Sequence, residues 1–109
     1  MSYSHAVKNG NTLYLSGFTA FGTQVQGKSL AEQADAIYEQ IRAVAEAEGT
    51  DMRSLLKVTT YLTDFSQAKE LREVMARHIG GNLPASITVE ISKLFSPESS
   101  IEIEAVLGL

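Results

Sequence analysis

The stretch "SLAEQADAIYEQIRAVAEAEG", Ser29 to Gly49, reads as one amphipathic helix with both ends marked. Ser29 with Glu32 three residues on fits a capping box, in which the serine oxygen takes an orphan backbone N–H at the helix start. Leu30, Ala34, Ile37, Tyr38, Ile41, Val44 and Ala45 recur at helical spacing and form one apolar stripe. Glu48 takes the next position of the stripe, and Gly49 suits the left-handed residue that often follows a helix. Tyr38 lies in the middle of the stripe and is expected in the core rather than in a site. A helix with one oily stripe must bury it against another element, so the rest of the chain has to supply a complementary face.

Upstream, "HAVKNGNTLYLSG" reads as a hairpin turning at Asn9-Gly10, with Leu13 and Leu15 on one face and Tyr14 and Ser16 on the other. "FTAFGTQVQG" connects it to the helix. Downstream, "LKVTTYLT" (56–63) is rich in β-branched residues and predicts a strand. Asp64 or Ser66 caps a second helix whose stripe is Ala68, Leu71, Val74, Met75 and Ile79, stopped by Gly80-Gly81. "LPASITVEIS" (83–92) alternates with period two. It is read with Ala85, Ile87, Val89 and Ile91 toward the helices and Ser86, Thr88 and Glu90 away. "SIEIEAVLGL" closes the chain with Ile101, Ile103 and Ala105 inward and Glu102 and Glu104 outward. The order β-β-α-β-α-β-β predicts a single α+β domain over 1–109, a two-layer sandwich with two helices on one face of a mixed sheet. The second sheet face would be left bare, bearing Tyr14, Ser16, Thr59, Tyr61, Ser86, Thr88, Glu90, Glu102 and Glu104. A small chain with tyrosines on an uncovered sheet face is expected to form an oligomer.

Composition narrows the function. The 109 residues are 44% hydrophobic and 20% charged, with a net charge of −4 and no cysteine. Disulfides, thiolate metal sites and a cysteine nucleophile are excluded. Basic residues are scattered among acids, so no stripe exists to follow a phosphate backbone and no nucleic-acid partner is expected. His5, on an expected edge strand, and His78, near a helix end, lack metal-ligand spacing, so no metal site is predicted. No apolar run is long enough to span a bilayer and no secretory signal pattern opens the chain. No membrane partner and a cytoplasmic location are therefore the expectation. There is no G-x-S-x-G elbow, which argues against a serine nucleophile.

Four segments in order, "YSHAVKNGNTLYLSG", "KVTTYLTDF", "LPASITVEISKL" and "IEIEAV", resemble the Rid (reactive intermediate deaminase; YjgF or L-PSP) family over essentially the whole chain. The resemblance implies a chorismate-mutase-like fold and a homotrimer. In such trimers the bare sheet faces build a central barrel, and small-molecule clefts lie between subunits. In deaminating members the reaction is hydrolysis of an enamine or imine, such as 2-aminoacrylate, to a keto acid and ammonia, without a cofactor. An arginine after the Pro-Ala pair clamps the substrate carboxylate, and a last-strand glutamate handles water. An imine carbon is already electrophilic, so positioning water and moving protons suffice.

Carried over by position, Glu102 matches the catalytic glutamate. Tyr3, Ser16 and Gly17 match pocket-lining positions, and Thr88 stands where many relatives carry cysteine. Two positions depart. Ser86 follows Pro84-Ala85 where the arginine belongs, and Lys69 stands where a pocket asparagine is common. Losing one partner of a buried charged pair costs roughly 2–5 kcal/mol. At about 1.4 kcal/mol per decade, that is roughly thirty-fold to several thousand-fold against an α-carboxylate substrate. Lys69, or Arg72 one turn further on, is the candidate replacement cation. Glu104 is read as structural, paired with a lysine. Three functions follow: an imine or enamine deaminase with a non-standard cleft, a non-catalytic metabolite-binding homotrimer, or a ribonuclease-like or chaperone-like protein. The acidic balance argues against RNA.

Overall fold

The computed structural model describes residues 2–109. The chain folds as β1 (Ala6–Asn9), β2 (Thr12–Leu15), α1 (Leu30–Ala47), β3 (Leu55–Leu62), α2 (Ala68–Ile79), β4 (Ala85–Glu90) and β5 (Ile101–Gly108). Short 3-10 turns, Met52–Ser54 and Phe65–Gln67, precede β3 and α2. One sheet has the order β1-β2-β5-β3-β4. β3 and β4 run parallel, joined by the α2 crossover that parallel neighbours require, and the remaining pairs are antiparallel. Both helices lie on one face, the two-layer sandwich that their stripes demanded.

Local chemistry sets the boundaries. Ser29 Oγ accepts from the Glu32 N–H at 3.1 Å and donates to the Glu32 carboxylate at 3.0 Å. Such a cap contributes about 1 kcal/mol. At the other end Thr50 N–H donates to the Ala45 carbonyl and Gly49 N–H to that of Glu46, with Gly49 at φ +79°. This is a Schellman closure, which needs the glycine because a Cβ is strained there. The hairpin loop is Gly10-Asn11 rather than Asn9-Gly10, because Asn9 pairs with Thr12. Only Gly10 has a positive φ, as in a type II′ loop.

The core is built from Leu13, Leu15, Val58, Leu62, Ile101, Ile103, Ala105 and Leu107 of the sheet. Against them pack Leu30, Ala34, Ile37, Tyr38, Ile41, Ala45, Leu71, Val74 and Ile79 of the helices. Two polar residues inside it were not anticipated. Gln33 is buried with its amide donating to the Lys28 carbonyl (2.7 Å) and accepting from the Ser100 N–H (3.1 Å), so it ties two loops together. His78, expected simply at a helix end, stacks on Tyr38 and hydrogen-bonds Asp35 at 2.7 Å, locking α2 to α1.

The faces of β4 are the reverse of the expected ones. In a parallel pair, residues opposite each other share a face. Val58, Thr60 and Leu62 point into the core and stand opposite Ser86, Thr88 and Glu90. These three therefore lie on the helix side, where Glu90 accepts from the Phe65 N–H at 2.9 Å. Ala85, Ile87 and Val89 lie on the bare face beside Lys57, Thr59 and Tyr61. The strand is at the sheet edge, beyond the area that the helices cover, so burial inside one chain does not fix its orientation. The result is a bare face more apolar than expected: Val7, Tyr14 and Ile87 are 55%, 49% and 50% exposed there.

Candidate functional site

The site begins where β2 leaves the sheet. Ser16 N–H donates to the His5 carbonyl at 2.9 Å, and Ser16 Oγ donates to the Ser4 carbonyl at 2.5 Å. These bonds hold the N-terminal segment across the end of β2 and set Tyr3 at a cavity rim. Phe18 then bonds Ile103 in both directions, at 2.8 and 3.0 Å. Between the Tyr14–Val106 and Phe18–Ile103 pairs the β2 side has one residue more than β5, a bulge that sets Gly17 against Glu102.

Tyr3, Ser16, Gly17, Thr19, Phe21, Phe95 and Glu102 line this cavity, of about 550 Å³. Glu102 is half-buried and, among the described residues, its carboxylate has neither an ion pair nor a hydrogen bond. Burial pushes its carboxyl above the usual glutamate range, and the neighbouring Glu104 carboxylate adds to the shift. Glu104 points to the same face but is engaged differently. It accepts from the Tyr61 hydroxyl at 2.7 Å, not from a lysine as expected. That bond holds the Tyr61 proton on its oxygen and raises the phenol above its ordinary value. Of the two last-strand carboxylates, Glu102 is the one without a hydrogen-bond partner among the described residues.

Gly17 has a defined role. A Cβ built there would lie 2.6 Å from Glu102 Oε2 and 2.8 Å from its Cδ. Gly17→Ala is therefore expected to swing the carboxylate out of its half-buried position. The Glu102 pKa, followed by carbon-detected NMR titration, should fall back toward the ordinary range as desolvation is relieved. An unchanged titration would mean that the carboxylate does not rest against Gly17.

Two loops bring the aromatic walls together. Gln40 holds the first by donating to the Thr19 carbonyl at 3.1 Å. Gln26 then bridges the two, accepting from the Gly22 N–H at 2.6 Å and donating to Glu98 at 3.0 Å. Phe21 and Phe95 meet edge to face, with ring centroids 6.0 Å apart. Neither phenylalanine nor Thr19 was expected in the site. The available signal was a pair of aromatic residues outside any core periodicity, in turn-rich connectors.

The other expected residues lie elsewhere. Ser86 lines a separate groove of about 360 Å³ between α2 and the start of β4, with Arg72, Met75, Ala76, Ile79, Gly80, Leu83 and Pro84. Thr88 is half-buried on the helix side, opposite Thr60. Lys69 is exposed in the first turn of α2 and lines neither of these two cavities, whereas Arg72 stands in the groove with Ser86. Glu102 and Ser86 lie on opposite faces of the sheet, on strands separated by β3. One chain brings Tyr3, Ser16, Gly17 and Glu102 together and does not bring Ser86 or Thr88 to them. Among the described residues no cluster of three or more His or acidic side chains could hold a metal, and no helix is long and apolar enough to cross a membrane.

Known proteins of similar sequence and fold are many. The family model described as Endoribonuclease L-PSP matches residues 1–107. A RutC family protein of Pyrococcus horikoshii is 36% identical over 108 residues, 95% of this chain and 84% of that one. A 2-iminobutanoate/2-iminopropanoate deaminase of Dermatophagoides farinae is 30% identical over 110 residues, 96% of this chain and 84% of that one. Among solved structures, RidA of a Psychrobacter species superposes with a TM-score of 0.91 at 32% identity, covering 100% of this chain and 89% of that one. The two-layer sandwich is thus the chorismate-mutase-like fold, and the chain belongs to the Rid family, the YjgF/L-PSP group that includes the RutC proteins.

Proposed function

We propose that this chain is an imine or enamine deaminase that works as a homotrimer, with Glu102 as the group that handles water. The observation that carries the reading is the Glu102 carboxylate, half-buried and unpaired in a cavity it shares with Tyr3, Ser16 and Gly17. A carboxylate held above its usual pKa is a better base than a solvated one and can return the proton to a leaving amine. Water adds to the imine carbon as Glu102 takes its proton. The carbinolamine nitrogen is then protonated, the C–N bond breaks and ammonia leaves. No cofactor enters.

The assembly is part of the proposal. Val7, Tyr14 and Ile87 are exposed on a single sheet face that no element of this chain covers. Packing copies through that face would bury it. It would also let the Ser86 groove of one copy meet the Glu102 cavity of the next, which a single chain cannot do. A bound small molecule would then sit in an inter-subunit cleft. Ser86 at the clamp position favours a second reading, a trimer that binds a metabolite without consuming it.

Imines generated from several amino acids by an amino-acid oxidase, with semicarbazide as the competing trap, separate the two. The deaminase reading predicts that the purified protein diverts imine to the carbonyl product and lowers semicarbazone yield. Unchanged semicarbazone yields for every imine, together with thermal stabilisation by a metabolite, would leave the binding reading.

A further inference from the structure

We infer that the Glu102 cavity takes an organic cation, an ammonium or protonated imine carried on an apolar group, rather than an α-carboxylate imine. The inference rests on reading this cavity as the functional site and names the class of molecule that fits it. Glu102 is the only charged side chain among the residues that line it. Among the described residues no cation pairs with it, and the nearest charged group acting on it within one chain is the Glu104 carboxylate on the same face, so this chain's own field at Glu102 is negative. A carboxylate-bearing ligand would meet repulsion there, and the position of the family's clamp is held by neutral Ser86.

The walls point the same way. Tyr3, Phe21 and Phe95 line the same cavity as the carboxylate, Phe21 and Phe95 packed edge to face, and Phe95 is 89% exposed. Aromatic faces attract cations, most strongly where water is displaced. The walls are also pre-built, because the Gln26 amide pins the Phe21 loop to the Phe95 loop through Glu98. Three rings and one carboxylate converging on one cavity form a box for a positively charged nitrogen.

The chemistry balances with such a substrate. A protonated imine, R₂C=NH₂⁺, and water give R₂C=O and NH₄⁺. Water's oxygen bonds to the imine carbon while its proton passes to Glu102 and on to nitrogen. The C–N bond then breaks with its electron pair on ammonia, which takes the remaining hydroxyl proton. No oxidant or reductant is required.

Calorimetry on the purified full chain at low salt tests the inference with three matched probes: benzylammonium, benzyl alcohol and benzoate. Benzylammonium should bind about tenfold or more tightly than either of the others. Glu102→Gln should reduce that preference to about twofold or less, and Phe95→Ala should weaken benzylammonium several-fold. The phenylalanine is so exposed that its loss leaves folding untouched. Benzoate binding more tightly than benzylammonium would overturn the inference and assign anion binding, with Arg72 of a neighbouring copy as the source. Benzylammonium affinity unmoved in Glu102→Gln, or no binding of it up to about 10 mM, would overturn it too. The outcomes separate from those of the imine assay. Cation binding through Glu102 with no hydrolysis either of the amino-acid imines or of the carboxylate-free imine that an amine oxidase makes from benzylamine would end the deaminase reading alone. Hydrolysis of α-carboxylate imines with a preference for benzoate would end this inference alone.

Discussion

Glu102→Gln is expected to lower imine hydrolysis by roughly 10²–10⁴-fold, the usual worth of a positioned acid–base group. Glutamine keeps the shape and the hydrogen-bonding capacity of the side chain but cannot accept a proton from water. The pH profile carries the distinguishing signature. If Glu102 is the base, wild-type kcat/KM should rise with pH through the elevated Glu102 pKa, and the residual activity of the variant should lose that limb. Stability should move in the opposite sense from activity. Burial raises the native Glu102 pKa above its unfolded value, so the native state binds more protons in that window. The wild-type protein therefore loses stability as pH rises from the unfolded value through the raised native one, and the glutamine variant, which cannot ionise, does not. A variant that is inactive yet at least as resistant to denaturant at pH 7 would fit the role. A variant retaining more than about a tenth of wild-type kcat/KM would remove Glu102 from the chemistry.

How far the chain could be read without coordinates depended on whether one element or two decide the answer. The α1 stripe was legible because Leu30, Ile37, Ile41 and Ala45 mark a face by spacing alone, and the cap at Ser29 is a local contact. The layers followed from the two stripes. The orientation of β4 was not legible. Alternation sorts Ala85, Ile87 and Val89 from Ser86, Thr88 and Glu90, but only pairing with β3 says which set faces the helices. At an uncovered sheet edge the more apolar set points away from the chain's own core. The site divided along the same line. Glu102 in an Ile-Glu-Ile-Glu run reads like any outward strand residue, and only the family resemblance singled it out. Its difference from Glu104 lies in Tyr61, which is far away in sequence and reaches only one of the two. Phe21 and Phe95 were invisible as a pair because the bridge between their loops is a glutamine side chain, and no periodicity encodes that.

Ser86→Arg is expected to raise kcat/KM for an α-carboxylate imine by roughly thirty-fold to several thousand-fold, the reverse of the cost of losing one partner of a buried charged pair. Ser86 is exposed on an edge strand, so the larger side chain needs no core rearrangement, and stability should change by about 0.5 kcal/mol or less. Ser86→Lys provides the control. A lysine adds the same charge without the planar fork that grips a carboxylate at two points, so it should recover only part of the gain. Arg72 already lines the groove, and its presence sharpens the test. If Arg72 served as the clamp, a second cation beside it would bring repulsion and little benefit. If it did not, the gain should be nearly full. The substitution also tests the assembly, because Ser86 and Glu102 lie on opposite faces of one sheet. An arginine on β4 can help a substrate held by Glu102 only across a subunit boundary. Mixing wild-type chains with chains that carry both Ser86→Arg and Glu102→Gln should therefore create activity on the α-carboxylate imine that neither has alone, because only in mixed oligomers does an intact Glu102 of one copy meet the new arginine of its neighbour. Failure of both the variant and the mixture, with sedimentation showing that mixed oligomers form, would separate the two cavities and leave the Glu102 pocket to work alone.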